Sequence, residues 1–275
     1  MKKLNKQHLI IGAVIVLGVL VLGIAGFFIF QSTKKTTQTE TTQQPARRKI
    51  SEPVNEIAVA DRPYLKLIPK ADGRNIEIAA IEIKKPASAM EFELEYQAGT
   101  LLQGAFGQLE IDTLPASTQL MFGSCSAGGA CTYHTDIKGG TLLARFEGED
   151  KYAVKQDWRY FDNAKRETTL ASKDAKFQLE SKSLAAVRFS IVYNTPGYPG
   201  SASDLGGTLV SEIYSLTASS ALTGTGTLSI RANEEGTLSI IGYNGSSWKK
   251  FDTTVDGKTA TATVELMEAY AVVGE

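Results

Sequence analysis

The feature that most constrains this chain is the run Leu9 to Phe30, LIIGAVIVLGVLVLGIAGFFIF: 22 residues with no charge, no proline and nothing more polar than glycine. At ~1.5 Å rise per residue such a helix is about 33 Å long, enough to cross a ~30 Å hydrocarbon core. A helix apolar on every side is otherwise needed only inside a large protein. The run reads as a single membrane span. It divides the chain into a short tail (1–8), the span (9–30), a linker (31–59) and a long body.

The tail MKKLNKQH carries three lysines, but Lys34 and Lys35 follow the span, so the positive-inside rule favours an inward tail by only a small margin. A short basic tail before an apolar run is also how an exported chain begins. The expectation is therefore a retained signal anchor in the cell membrane, with the C-terminal body extracellular. Two alternatives stay open. One is a cleaved signal peptide, for which Gly23-Ile24-Ala25 offers small residues, although FFIF then continues the apolar run. The other is the opposite topology.

Of 29 Lys and Arg, eight fall in residues 1–50, whereas Glu40 is the sole acidic residue there among 30 Asp and Glu. The body from Ser51 onward is thus net −8 and the membrane-flanking part +7. An acidic body without a basic stripe argues against nucleic acid as a partner. The basic residues beside the span suit anionic head groups. The linker from Gln31 to about Pro53 is rich in Thr and Gln and nearly devoid of apolar residues, the composition of a disordered stalk.

From Ala60 the pattern changes to short alternating runs. Met90-Glu91-Phe92-Glu93-Leu94-Glu95-Tyr96 is the cleanest: apolar side chains alternate with glutamates, predicting a strand with one buried and one wet face. Further strands are expected at 64–68, 75–78, 107–111, 120–122, 141–146 and 153–158, with Ala71-Asp72-Gly73 and Lys138-Gly139-Gly140 read as turns. The polar stretch Phe161–Asp174 reads as a domain boundary. A second series follows at 176–180, 187–193, 212–216, 227–231, 238–243, 248–251, 261–266 and 270–273. Regularly spaced short strands predict an all-β chain of two tandem antiparallel β-sandwiches of Ig-like type, over 60–166 and 167–275.

Two stretches resemble known families. Ile213-Tyr214-Ser215-Leu216-Thr217, Gly226–Ile230, Gly245-Ser246-Ser247-Trp248, Asp256–Val264 and Tyr270-Ala271-Val272-Val273 together resemble a β-sandwich module found at the C-terminal ends of bacterial surface proteins, and more distantly the sandwich modules of ankyrins and netrin receptors. In the first half, MEFELEYQAGTL and the later FGSC and GGTLLARFEG resemble cohesin-like sandwiches, without the calcium or dockerin-binding signatures. The resemblances imply a structural or binding surface protein whose modules carry no chemistry of their own.

The two cysteines, Cys125 and Cys131, lie six apart in the glycine-rich run GSCSAGGACTYH. On an exported chain the expectation is a disulfide closing a tight loop. A metal site on Cys125, Cys131 and His134 has only three ligands and lacks zinc-knuckle spacing; a Cys–His nucleophile pair would need a reduced thiol. With the loop pinned, Tyr133 and His134 become candidate contact residues. Trp158 and Tyr160 share a strand face and could form a sugar-stacking platform, although core packing is the commoner use of such rings. Tyr198, in the Gly/Pro/Ser-rich loop NTPGYPGSASDLGG, is either a contact or a plain turn residue. Glu91, Glu93 and Glu95 read as a solvated face that discourages edge pairing. No catalytic motif, metal site or cofactor is implied. The expected function is non-catalytic adhesion or recognition of an envelope protein or carbohydrate. An anchored hydrolase of envelope polysaccharide or peptide is the alternative, and an envelope-assembly scaffold a third class.

Overall fold

The computed structural model describes residues Pro53–Glu275. The tail, the span Leu9–Phe30 and most of the linker lie outside the described residues. Among the described residues no helix is long and apolar enough to cross a membrane. Their regular structure is all-β apart from three short 3-10 turns, Val59–Asp61, Lys182–Ala186 and Ala202–Leu205.

In chain order the strands are β1 (Tyr64–Pro69), β2 (Asn75–Glu82), β3 (Ala89–Ala98), β4 (Leu101–Glu110), β5 (Ala116–Met121), β6 (Gly123–Cys125), β7 (Cys131–Tyr133), β8 (Ile137–Glu147), β9 (Tyr152–Asp162) and β10 (Thr169–Ala171). They continue with β11 (Phe177–Glu180), β12 (Phe189–Thr195), β13 (Thr208–Leu209), β14 (Ile213–Ala218), β15 (Thr225–Arg231), β16 (Leu238–Tyr243), β17 (Trp248–Lys250), β18 (Thr253–Asp256), β19 (Thr259–Glu265) and β20 (Ala269–Gly274).

A ten-stranded antiparallel sheet runs through both halves in the order β17-β16-β20-β14-β12-β9-β8-β3-β4, with β13 pairing β20. A three-stranded sheet (β1-β2-β5) and a five-stranded sheet (β10-β11-β15-β19-β18) cover it, and β6 and β7 form a separate ribbon. Alternation decides which face each cover takes. On β12, Ile191 and Tyr193 join the core beneath β1 and β2, while Val192 joins the core beneath β11, β15 and β19. Successive residues of a strand point to opposite faces. The two covers therefore lie on opposite sides of one shared sheet.

The stretch Phe161–Asp174, read above as a domain boundary, holds the end of β9, a turn and strand β10. β9 runs on to Asp162 and pairs with β12 from Phe189↔Asp162 to Tyr193↔Trp158. Phe161 packs against the second core, and the Asn163 amide donates to the Glu167 and Leu184 carbonyls at 3.0 and 2.9 Å. The polar residues there belong to a bonded turn, and residues 51–275 form one compact unit. The loop 196–207 is likewise no open excursion. Tyr198 and Leu205 pack on Ile213, Ile241, Ala271 and Val273, closing the remaining face of the second half.

Candidate functional site

The first half offers one projecting structure, the β6–β7 ribbon. Its root is Phe122, fully buried, with its ring 4.9 Å from Tyr96, 5.7 Å from Tyr160 and stacked at 6.2 Å on Trp158. Beyond it the chain leaves the core as an antiparallel pair: Gly123↔Tyr133, Ser124↔Thr132 and Cys125↔Cys131. At Gly123 (φ +155°) the facing strand approaches so closely that a Cβ would sit 2.3 Å from the Thr132 carbonyl oxygen. The disulfide Cys125–Cys131 joins directly facing residues. With both sulfurs bonded, neither is available as a thiolate ligand or nucleophile. The tip turns through the Ser126 N–H to Ala130 carbonyl bond (2.8 Å) and the Gly129 N–H to Ser126 carbonyl bond (2.9 Å).

His134 closes the ribbon base. Its N–H donates to the Phe122 carbonyl at 2.8 Å, and its Nδ1 shares a 2.9 Å hydrogen bond with the Tyr96 hydroxyl. Burial raises the Tyr96 phenol above its ordinary pKa, so it stays protonated as a partner for the imidazole. Tyr133 remains exposed, with the Arg74 guanidinium 4.4 Å from its ring centroid. Arg74 is itself held in the β1–β2 turn, where Asp72 accepts from the N–H groups of Arg74 and Asn75 at 2.8 and 3.1 Å. An exposed cation–π pair contributes only ~0.5–1 kcal/mol, but it sets the plane of the ring.

The loop closed by the disulfide is short, so its chain-entropy contribution is about 2.4 kcal/mol. Replacing Cys125 and Cys131 together by serine should speed amide exchange across Gly123–Tyr133 and leave β3 and β8 unchanged. A matching acceleration in β3 and β8 would show instead that the bridge holds the whole body.

Beside the ribbon lies the β3–β4 tip, tied to the segment after His134 by the Gly99 N–H to Asp136 carbonyl bond of 3.0 Å. Here Leu101 and Leu102 are each 63% exposed, and Phe106 further along β4 is 66% exposed. Leu102 and Phe106, four apart, share one face of an edge strand whose sole charged residue is Glu110. A long edge whose one charge lies at its far end is open to pairing or contact. The sequence signal was the uncharged alternation Leu102-Gly104-Phe106, which reading a strand only from Gly107 passes over.

The other candidates are placed differently. Trp158 and Tyr160 line the first core, at 0% and 6% exposure. A sugar-stacking platform on them has no open face, because the shared side they present is the one covered by β1, β2 and β5. Tyr198 is 3% exposed, with the Lys84 ammonium 3.9 Å above its ring. Thus Tyr133 and His134 come together at the ribbon, whereas Trp158, Tyr160 and Tyr198 serve packing. A cleft between the halves brings Asp136, Asp162 and Glu167 to one lining. Asp136 is ion-paired to Lys138, and Asp162 accepts from Arg188 Nε at 2.7 Å. Among the described residues no three His, Cys, Asp or Glu gather as a metal set. Compared with known proteins, the chain matches no family model, no curated protein and no solved structure.

Proposed function

We propose that the chain is a membrane-anchored, non-catalytic surface protein, held through Leu9–Phe30, that contacts a protein or glycan of the cell envelope. The contact surface is the end of the first half built from Arg74, Tyr133, His134, the disulfide ribbon, and Leu101 and Leu102. In this reading the body is two sandwich modules sharing a sheet, the first cohesin-like and the second like the C-terminal module of bacterial surface proteins. One observation carries the proposal: Tyr133 stands exposed under Arg74 on a ribbon closed by Cys125–Cys131. Tyrosine and arginine dominate interface energetics, and fixing them before contact lowers the ordering cost of association. The anchored-hydrolase alternative would draw on Asp136 and Asp162, but each is committed to a neighbouring cation.

The test is co-sedimentation of the full chain, in detergent micelles, with isolated cell-envelope material. Binding should fall at least tenfold for Tyr133→Ala and several-fold for Arg74→Ala. Protease treatment of the envelope abolishing binding identifies a protein partner; periodate treatment abolishing it identifies a glycan. Equal sedimentation of wild type and Tyr133→Ala would reject this surface.

A further inference from the structure

The ten-stranded sheet ends in β17 on one side and β4 on the other. β17 is three residues long and carries Lys249 and Lys250, the short, charged form that keeps a free edge from pairing. β4 is ten residues long and has no charge before Glu110. Among the described residues it pairs with β3 alone, over its whole length. Alternate N–H and C=O groups of β4 therefore point outward with no strand to receive them. Glu91, Glu93 and Glu95, expected to discourage edge pairing, stand on β3, which is paired on both sides, so they do not guard the edge. The three most exposed large apolar side chains among the described residues, Leu101, Leu102 and Phe106, are all on β4.

A strand that pairs antiparallel with a second copy of itself does so about a two-fold axis through one central residue. The side chains choose the centre. Leu102, Gly104, Phe106 and Gln108 lie on one face, since successive residues alternate. Centred on Gly104, the pairing sets Leu102 of each copy against Phe106 of the other, with the two Gly104 residues facing on the axis. Centred on Ala105, Leu102 would meet Gln108; centred on Phe106, it would meet Glu110. The Gly104 register covers both apolar side chains with apolar partners, and does so twice. It also keeps like charges apart. The glutamate rows of the two β3 strands come to lie three strand spacings from each other, about 14 Å, beyond the screening length of about 8 Å at physiological salt.

We infer that β4 is a self-association edge: a second copy of this chain adds to it antiparallel about Gly104, joining the two ten-stranded sheets into one. A single strand edge buries far less than an obligate interface, so the dimer is reversible. Pairing draws Leu101 and Leu102 out of the proposed envelope contact. Arg74, Tyr133 and His134, none of them on β4, stay available in each copy, and the dimer offers them twice. Self-association does not depend on what Tyr133 contacts.

Sedimentation equilibrium of the full chain in detergent micelles tests this. The wild type is expected to form reversible dimers, weakened at least tenfold by Leu102→Glu or by Phe106→Lys. Mixed in equal amounts, the two variants should associate again, because the carboxylate of one then faces the ammonium of the other across the axis. Gly104→Cys gives a second readout. A Cβ there meets nothing nearer than the Leu94 carbonyl oxygen at 3.9 Å, and Cys125 and Cys131 are bonded to each other. Facing Cβ atoms are ~4.5–5.5 Å apart, close to disulfide reach, so mild oxidation should link two chains. Gln108→Cys, roughly 27 Å from its counterpart in this register, should not link. Unchanged thermal midpoints separate lost pairing from lost fold; should a charged variant unfold, the two cysteine variants still decide. A wild type that stays monomeric to about 100 µM, beyond the micromolar affinity of a weak interface, overturns the proposal. So does a dimer that neither charged variant weakens, which places association elsewhere in the chain, and so does linkage of Gln108→Cys as fast as of Gly104→Cys.

Discussion

Trp158→Ala and Phe177→Ala, made separately, are expected to shift one and the same thermal unfolding transition, each by about 3–5 kcal/mol. For a body of this size that is a fall in midpoint of roughly 6–20 °C. Trp158 is wholly buried in the first core, stacked on Phe122. Phe177 is wholly buried in the second, 5.3 Å from Tyr214 and 6.0 Å from Tyr270. Two independent domains joined by a linker would melt separately, each answering only to its own substitution. Here the join is a strand pairing, β9 with β12, and β12 sends Ile191 and Tyr193 into one core and Val192 into the other. Loss of either core strips one face from the strand that the other core needs. Calorimetry of the full chain would resolve the question. Two transitions, of which each substitution moves only one, would rule out the shared sheet as an energetic unit.

Strand existence was legible in the sequence wherever one face is wet. Met90, Phe92, Leu94 and Tyr96 are buried while Glu91, Glu93 and Glu95 are half-exposed, and alternation alone says so. The Ile213–Ala218 and Leu238–Tyr243 runs read as strands for a different reason: they are mostly apolar and carry no charge because both their faces are covered, burying even Ser215 and Ser239. Illegible were the short pieces β10, β13 and β18, of three, two and four residues, and the ribbon strands β6 and β7, because so few residues carry no period. Above all, the sequence could not say which strands neighbour which. A polar stretch after Trp158 looks the same whether it links two domains or turns between two strands of one sheet. The candidate site divides along the same line. Cys125, Cys131 and Tyr133 follow from local spacing once the chain is read as exported. Arg74, which sets the Tyr133 ring, lies far away in sequence and is reached only through the β2–β5 pairing. Trp158 and Tyr160 were correctly placed on one face, but alternation does not tell which face is covered.

Gly140→Ala should be the most damaging single-methyl change in the chain, and its size follows from where Gly140 lies. Lys138-Gly139-Gly140 has the composition of a turn, yet both glycines sit inside β8, where the register with β3 shifts between Gln97 and Ala98. Gly140 pairs with Tyr96 on one side and Trp158 on the other. A Cβ there would lie 1.9 Å from the Glu95 carbonyl oxygen and 2.8 Å from the Tyr96 Cα. Both obstacles are backbone, so no rotamer relieves them; β3 and β8 must separate. Glycine in a strand often marks such a close approach. Overpacking of a well-filled core costs ~1–3 kcal/mol when side chains can yield, and the loss here should reach or exceed the upper figure. Gly104→Ala is the matched control. It lies on the exposed edge strand β4, where a Cβ meets nothing nearer than the Leu94 carbonyl oxygen at 3.9 Å. Alanine there should be neutral or stabilise by up to ~1 kcal/mol, since glycine loses more freedom on folding. The two substitutions also separate packing from contact. Tyr96 and Trp158 flank Gly140 and carry Phe122 and His134, the root of the ribbon. Gly140→Ala should therefore displace Tyr133 and weaken the proposed envelope binding along with stability, while Gly104→Ala spares both. If the Gly140→Ala protein melts within a degree of wild type, the strands are farther apart than this geometry requires, and the ribbon root is not fixed by the Tyr96–Gly140–Trp158 row.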